Sequence, residues 1–178
     1  MVTLLDEFRW EARTSYDWLE TIVADVTRGQ AAWVPPGRAN TIAATYAHIV
    51  YNADEDLNHW LFRRPKLIDT TWKSRAGISI PPGGGFDWET FGEIDWPALR
   101  EYGRMIREFV ISTIDSLTEE DLERATNLST QDIAQWHGID IVRLTVGHHI
   151  RMHGGEIACL KGLQGTKGYT FGQDANRP

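Results

Sequence analysis

From Leu4 to Val26 the apolar residues Leu4, Leu5, Phe8, Ala12, Leu19, Ile22, Val23 and Val26 recur at three- and four-residue steps, the spacing that keeps them on one face of a helix. A turn follows, because Pro35-Pro36-Gly37 within Gly29–Asn40 cannot continue that helix. Asn40 or Thr41 is placed to cap a second helix running to about Phe62. Between Arg64 and Trp96, Pro65, Pro81, Pro82 and Gly83-Gly84-Gly85 interrupt any helical or strand period. A connection this long inside a compact domain carries function or crosses over, and a crossover lets the second and third helices run parallel. Pro97 suits the first turn of a third helix bearing Leu99, Tyr102, Ile106, Phe109 and Val110. Ser116 to Leu122 reads as that helix's end and a short turn capped by Thr118, with acidic residues at its positive end. A fourth helix is predicted from about Ile139 to Leu163, with Gly165 as its stop. The fold class is all-α.

Composition narrows the function classes. The chain has 178 residues, enough for one domain with a proper core and no need of disulfides or a structural metal. The polar, Gly-containing stretch from Thr166 to Pro178 is expected to be an extension beyond a domain covering residues 1–165. A net charge of −7 opposes a phosphate-backbone partner, so nucleic acid is set aside. The N-terminus lacks a basic stretch followed by an apolar run, and no segment offers about 18 consecutive apolar residues, so neither secretion nor a membrane span is expected. One cysteine, Cys159, fits a reducing compartment and points to the cytoplasm; its expected place is that of a small buried hydrophobe. Eight tryptophans imply large buried contacts or an aromatic-walled pocket, and permit a homodimer.

Candidate chemistry sits on the histidines. At about 100° per residue, His149 and His153 fall in the middle of the apolar face formed by Val142, Val146, Ile150, Ile157 and Leu160. Four residues apart, their rings stack one turn above each other and can share one ion. Two separately satisfied core histidines would each need a partner of their own, whereas one metal serves both. On the second helix His48, Asn52, Glu55 and His59 form a polar stripe opposite Ile42, Tyr46, Ile49, Val50, Ala53, Leu57 and Trp60. Spacing alone leaves His48 open between a third ligand and a solvated side chain, and puts His59 too far along to share the ion. His148 points about 100° away from His149, and His137 precedes the last helix as loop or rim. Glu156, one turn past His153, is placed to hydrogen-bond a ligand histidine or to act as a base, and equally to be a solvated carboxylate. Cys159 projects away from the His149/His153 axis. An all-histidine set leaves a coordination position open, the arrangement of catalytic rather than structural zinc.

Asn40-Thr41-Ile42 leading to Ala47-His48-Ile49, the turn Leu117-Thr118-Glu119-Glu120-Asp121-Leu122, and above all His149-Ile150-Arg151-Met152-His153-Gly154-Gly155-Glu156-Ile157 resemble the DinB/YfiT-like superfamily of metalloenzymes. The resemblance runs over most of residues 1–165. It implies a four-helix bundle in up-down-down-up order, and His48, His149 and His153 as ligands of a divalent metal, zinc or nickel first among them, with Glu156 in the family's Gln/Glu place. Gly154-Gly155 stand where members often carry Arg-Gly. The resemblance further implies a thiol-dependent transferase, in which the ion holds a low-molecular-weight thiol as thiolate and presents it to an electrophilic small-molecule substrate, with Asn52 or Glu55 lining the pocket. Metal-dependent hydrolysis at the same site, with Glu156 or Glu55 as base, is the alternative. A third reading is a non-catalytic metal- or ligand-binding stress-response module.

Overall fold

In a computed structural model of the chain, which describes residues 1–79, 93–131 and 133–169, every named element is helical. Helix α1 spans Leu4–Val23 and opens with a reciprocal cap in which Thr3 Oγ1 accepts from the Asp6 N–H and the Asp6 carboxylate accepts from the Thr3 N–H. It ends before Val26. Thr27 then starts a short helix α2, Arg28–Ala32, inside the stretch predicted as turn; Thr27 and Gln30 form a second reciprocal cap, a start signal that outweighs Gly29.

Helix α3 spans Ile42–Asp54, capped by Thr41, and continues without a break as a π-helical turn over Glu55–Leu61. It stops at Phe62, where Arg63 takes the left-handed conformation with φ 54°. The crossover then begins under tight control, because the fully buried Asp54 carboxylate accepts from the backbone N–H groups of Leu67 and Ile68, each at 2.9 Å. The same carboxylate accepts from Asn58 Nδ2 at 2.8 Å and the Tyr102 hydroxyl at 2.6 Å. Four donors in a dry interior satisfy the carboxyl oxygens and fasten the 3-10 turn Leu67–Asp69 to α3 and to the next long helix. The Pro81 to Gly85 portion of the crossover lies outside the described residues.

Helix α4 spans Trp96–Ser116, with Asp95 as cap and Pro97 in the first turn, and Thr118 caps the short α5, Glu119–Glu123. The fourth predicted helix is one continuous run made of α6 (Gly138–Arg143), a π-helical turn (Leu144–His148) and α7 (His149–Leu163). Gly165 follows with φ 78°, the left-handed stop its residue type permits. Of the C-terminal extension, Tyr169 stacks on Trp18 with ring centroids 5.8 Å apart, and residues 170–178 lie outside the described residues.

Side-chain pairs fix the relative directions. Along α1 and α4 they run oppositely, from Val26–Trp96 through Glu20–Arg100 and Asp17–Arg107 to Arg13–Asp115. Along α1 and the last helical run they advance together, from Glu11–Arg151 to Ile22–Lys161. Along α3 and that last run they oppose again, from His48–His153 through Asn52–His149 to Asp56–Thr145. The core between these four long segments holds Tyr16, Leu19, Tyr46, Leu57, Leu99, Tyr102, Ile106, Ile141, Ile150 and Ile157. Among the described residues, no helix is long and apolar enough to cross a membrane.

Candidate metal centre

The antiparallel crossing of α3 on the last helix brings together histidines about a hundred positions apart in sequence. His48 Nε2 lies 2.7 Å from His149 Nε2 and 2.9 Å from His153 Nε2. The three rings form a nearly equilateral triangle, with centroid separations of 4.5, 4.4 and 4.6 Å. All three are buried, at 6%, 7% and 6% exposure for His48, His149 and His153, so the solvated alternative for His48 does not hold. At His48 and Asn52 the polar stripe of α3 faces the last helix, not water.

Their surroundings set the protonation. The His153 Nδ1–H faces the Glu156 carboxylate at 2.7 Å, which leaves the electron pair on Nε2. Asn52 Nδ2 donates to His149 Nε2 at 3.2 Å, so that nitrogen also presents an electron pair. Burial first, and then the neighbouring imidazoles, press the His48 pKa down to about 2; burial and His153 press His149 down to about 4. Three buried imidazoles whose nitrogens converge on one point are a donor set suited to a cation. Each of the three offers one nitrogen, and these lie within 4.8 Å of one another, as a shared ion requires. Nitrogens about 2.0–2.1 Å from one tetrahedral ion would stand about 3.3 Å apart, so the rings need part by only about half an ångström. The residues fit a divalent metal.

The other predicted residues are spread around this centre. Glu156, half exposed, meets His153 on the ring edge opposite the convergent nitrogens. Asn52 touches His149 directly, and its amide oxygen is buried with no hydrogen-bond partner among the described residues. Glu55 accepts from the Tyr51 hydroxyl at 3.1 Å and from Lys66 at 3.4 Å, while Lys66 also donates to Tyr51 at 2.6 Å and lies over its ring. His59 is exposed and packs edge-on against Trp60; His148 and His137 are exposed. Cys159 is exposed too, contrary to the expectation of burial, because it falls on the outward stripe of Met152, Glu156 and Leu163.

Two further residues join the stripe that sequence periodicity did not single out. Asp56, buried, meets the Thr145 hydroxyl at 3.0 Å across the same helix pair, and Tyr16 of α1 brings a buried hydroxyl with no hydrogen-bond partner among the described residues. The only sequence signal for Asp56 was its place eight residues after His48 and four after Asn52.

A family model described as the DinB superfamily matches residues 11–157, which takes in α1 from Glu11 onward, all three histidines and the helices between them. The chain belongs to the DinB superfamily. A solved structure described as a conserved protein of a locus from Enterococcus faecalis shares this DinB chain's fold with a TM-score of 0.75 at 14% identity, covering 92% of this chain and 98% of its own. No curated protein matches the chain. In this DinB-superfamily protein, the HxxxH pair and the helix α3 histidine meet at one buried point.

Proposed function

We propose that this protein is a divalent-metal-dependent enzyme that transfers a low-molecular-weight thiol to an electrophilic small molecule. The observation that carries the reading is the convergence of three buried imidazole nitrogens, with no thiolate or carboxylate joining them among the described residues. A divalent ion held there supplies Lewis acidity with a coordination position to spare, the means of keeping a thiol ionised near neutral pH. His48, His149 and His153 hold the ion. Glu156 orients His153 through Nδ1, and Asn52 lies against His149 Nε2, where its amide gives way to the ion.

Thiol transfer is preferred to hydrolysis because the carboxylates proposed as bases are engaged elsewhere. Glu156 sits behind His153, and Glu55 is held by Tyr51 and Lys66, so neither stands ready to take a proton from water at the convergent nitrogens. We read the four long segments, α1, α3, α4 and the α6–α7 run, as a four-helix bundle in up-down-down-up order, and the protein as cytoplasmic and open to homodimer formation.

The test begins with elemental analysis of freshly purified protein against His149→Ala, with zinc or nickel near one equivalent in the first and lost in the second. Chlorobimane-type electrophiles are then offered with and without added thiols. Turnover that needs a thiol supports transfer, thiol-independent cleavage of esters or amides supports hydrolysis, and stoichiometric metal without turnover in either screen leaves a binding module.

A further inference from the structure

Three imidazole ligands bring no negative charge to a divalent cation, and the fold must find it elsewhere. Glu156 is half exposed on the far edge of His153, Glu55 is paired with Lys66, and Asp54 is saturated by four donors. Asp56 differs from all of these. It is 7% exposed, forms no ion pair among the described residues, and its one hydrogen-bond partner there is Thr145, four residues before His149.

The protons at this contact can be counted. Thr145 Oγ1 lies 3.0 Å from Asp56 Oδ2 and 2.9 Å from the Ile141 carbonyl oxygen. A hydroxyl has one proton and cannot serve both acceptors; both contacts close when the Asp56 carboxyl group carries a proton and donates to Thr145, which donates to Ile141. Burial acts in the same direction, pushing Asp56 up to about 7, with Glu55 adding to it and the Thr145 contact opposing. Around it stand Glu55 on its own helix, Thr145 from the last helix, and from α1 the buried Tyr16 hydroxyl, which has no hydrogen-bond partner among the described residues. Arg143 and His148 on that helix are exposed, and Asp140 is tied to the His137 N–H, so among the described residues no cation pairs with the carboxyl group.

The position is suited to respond to an ion. Asp56 lies one helical turn beyond Asn52, whose amide touches His149, and about 12 Å along the helix from His48. Across a poorly polarisable interior, a double positive charge at that range moves a carboxyl group by about one pH unit or more. On the reading that the three histidines hold a divalent cation, we propose that Asp56 is the internal counter-charge of that site. It is a neutral carboxylic acid before the ion enters and a carboxylate afterwards, so each ion taken up expels one proton from Asp56 to solvent.

The experiment titrates Zn²⁺ into chelator-treated full-length protein at about pH 6 in weak buffer, counts protons with an indicator, and measures affinity by chelator competition. Wild type is expected to release about one proton per ion and to gain about tenfold in affinity per pH unit up to about pH 7. Asp56→Asn still takes up Zn²⁺, releases far less, shows a flat profile, and binds about tenfold more weakly at about pH 8. Infrared spectroscopy of the wild type gives a reading that needs no variant: the buried carboxylic-acid band disappears as Zn²⁺ is added. Equal proton release from wild type and Asp56→Asn, or a carboxylic-acid band untouched by Zn²⁺, overturns the proposal while leaving the metal site standing. Failure of the wild type to take up Zn²⁺ overturns the metal site and the proposal with it.

Discussion

His153 stands between Glu156, 2.7 Å from its Nδ1, and His48, 2.9 Å from its Nε2. The carboxylate fixes which nitrogen carries the proton, and therefore which one faces the other histidines. Removing that carboxylate frees the tautomer and the ring orientation without touching the core, since Glu156 is half exposed. Glu156→Ala is expected to weaken Zn²⁺ binding by about 10–100-fold, while the metal-free protein melts within a few degrees of wild type. Chelator competition and a thermal melt measure the two. Unchanged affinity would remove Glu156 from the site.

Asp54 governs the path into the crossover more than the chemistry. Its buried carboxylate joins two backbone N–H groups of the 3-10 turn to Asn58 and to Tyr102 of α4. Asp54→Ala leaves those donors buried and unmatched, at a cost of about 3–5 kcal/mol. Tyr102→Phe removes one donor of four and costs about 1–2 kcal/mol. Urea unfolding of both variants checks the order, and an Asp54→Ala loss below that of Tyr102→Phe would contradict the role given to the carboxylate.

How far the sequence could be read depended on where regular winding holds. His149 and His153 lie on one α-helical stretch, so a constant angle per residue places their rings together, as the structure has them. His48 was different, because the pattern of a single helix cannot say whether its polar stripe meets water or another helix; the family pattern and the packing of α3 on α7 decide that. Asp56 escaped because the π-helical turn from Glu55 to Leu61 winds more slowly than an α-helix. A wheel drawn at the α angle extends the stripe to His59, which the structure leaves exposed, and passes over Asp56, which it buries. Thr27, three residues before Gln30, carries a cap signal in the sequence, but the prolines that follow dominate the local pattern. Cys159 shows that a residue type's usual burial yields to its place on the wheel.

Close packing of α1 on α7 makes Gly154 a sensitive neighbour of the centre. A Cβ at this position would come within 2.5 Å of a Trp18 ring carbon, and Trp18 is itself sandwiched by Tyr169. The ring must tilt or the helices must part beside His153. Gly154→Ala is expected to cost about 1–3 kcal/mol and to weaken Zn²⁺ binding, whereas Gly162→Ala, where a Cβ meets nothing within 4 Å, does neither. Tryptophan fluorescence and unfolding of the two variants separate local crowding from a general loss of helix glycine. Equal behaviour of the two would show that the Trp18 contact carries no constraint.

The acid limb of stability in metal-free protein is set by two opposed groups. The folded-state values of about 2 for His48 and about 4 for His149 lie below the reference of 6.5, so the unfolded chain takes up protons that the folded one refuses. The stability they contribute is complete above 6.5 and is lost as pH falls toward those values. Asp56 has the opposite sign: held at about 7 against a reference of 3.8, it keeps a proton that the unfolded chain releases, and its contribution is lost as pH rises from 3.8 through 7. Between about pH 4 and 6.5 the two imidazoles exceed the one carboxyl group by a single proton, which makes stability fall by about 1.4 kcal/mol per pH unit of acidification. Asp56→Asn leaves the imidazoles unopposed and doubles the slope to about 2.8 kcal/mol per pH unit. Urea unfolding of chelator-treated wild type and variant across this range measures both slopes, and parallel limbs would mean that Asp56 is already ionised in the folded protein.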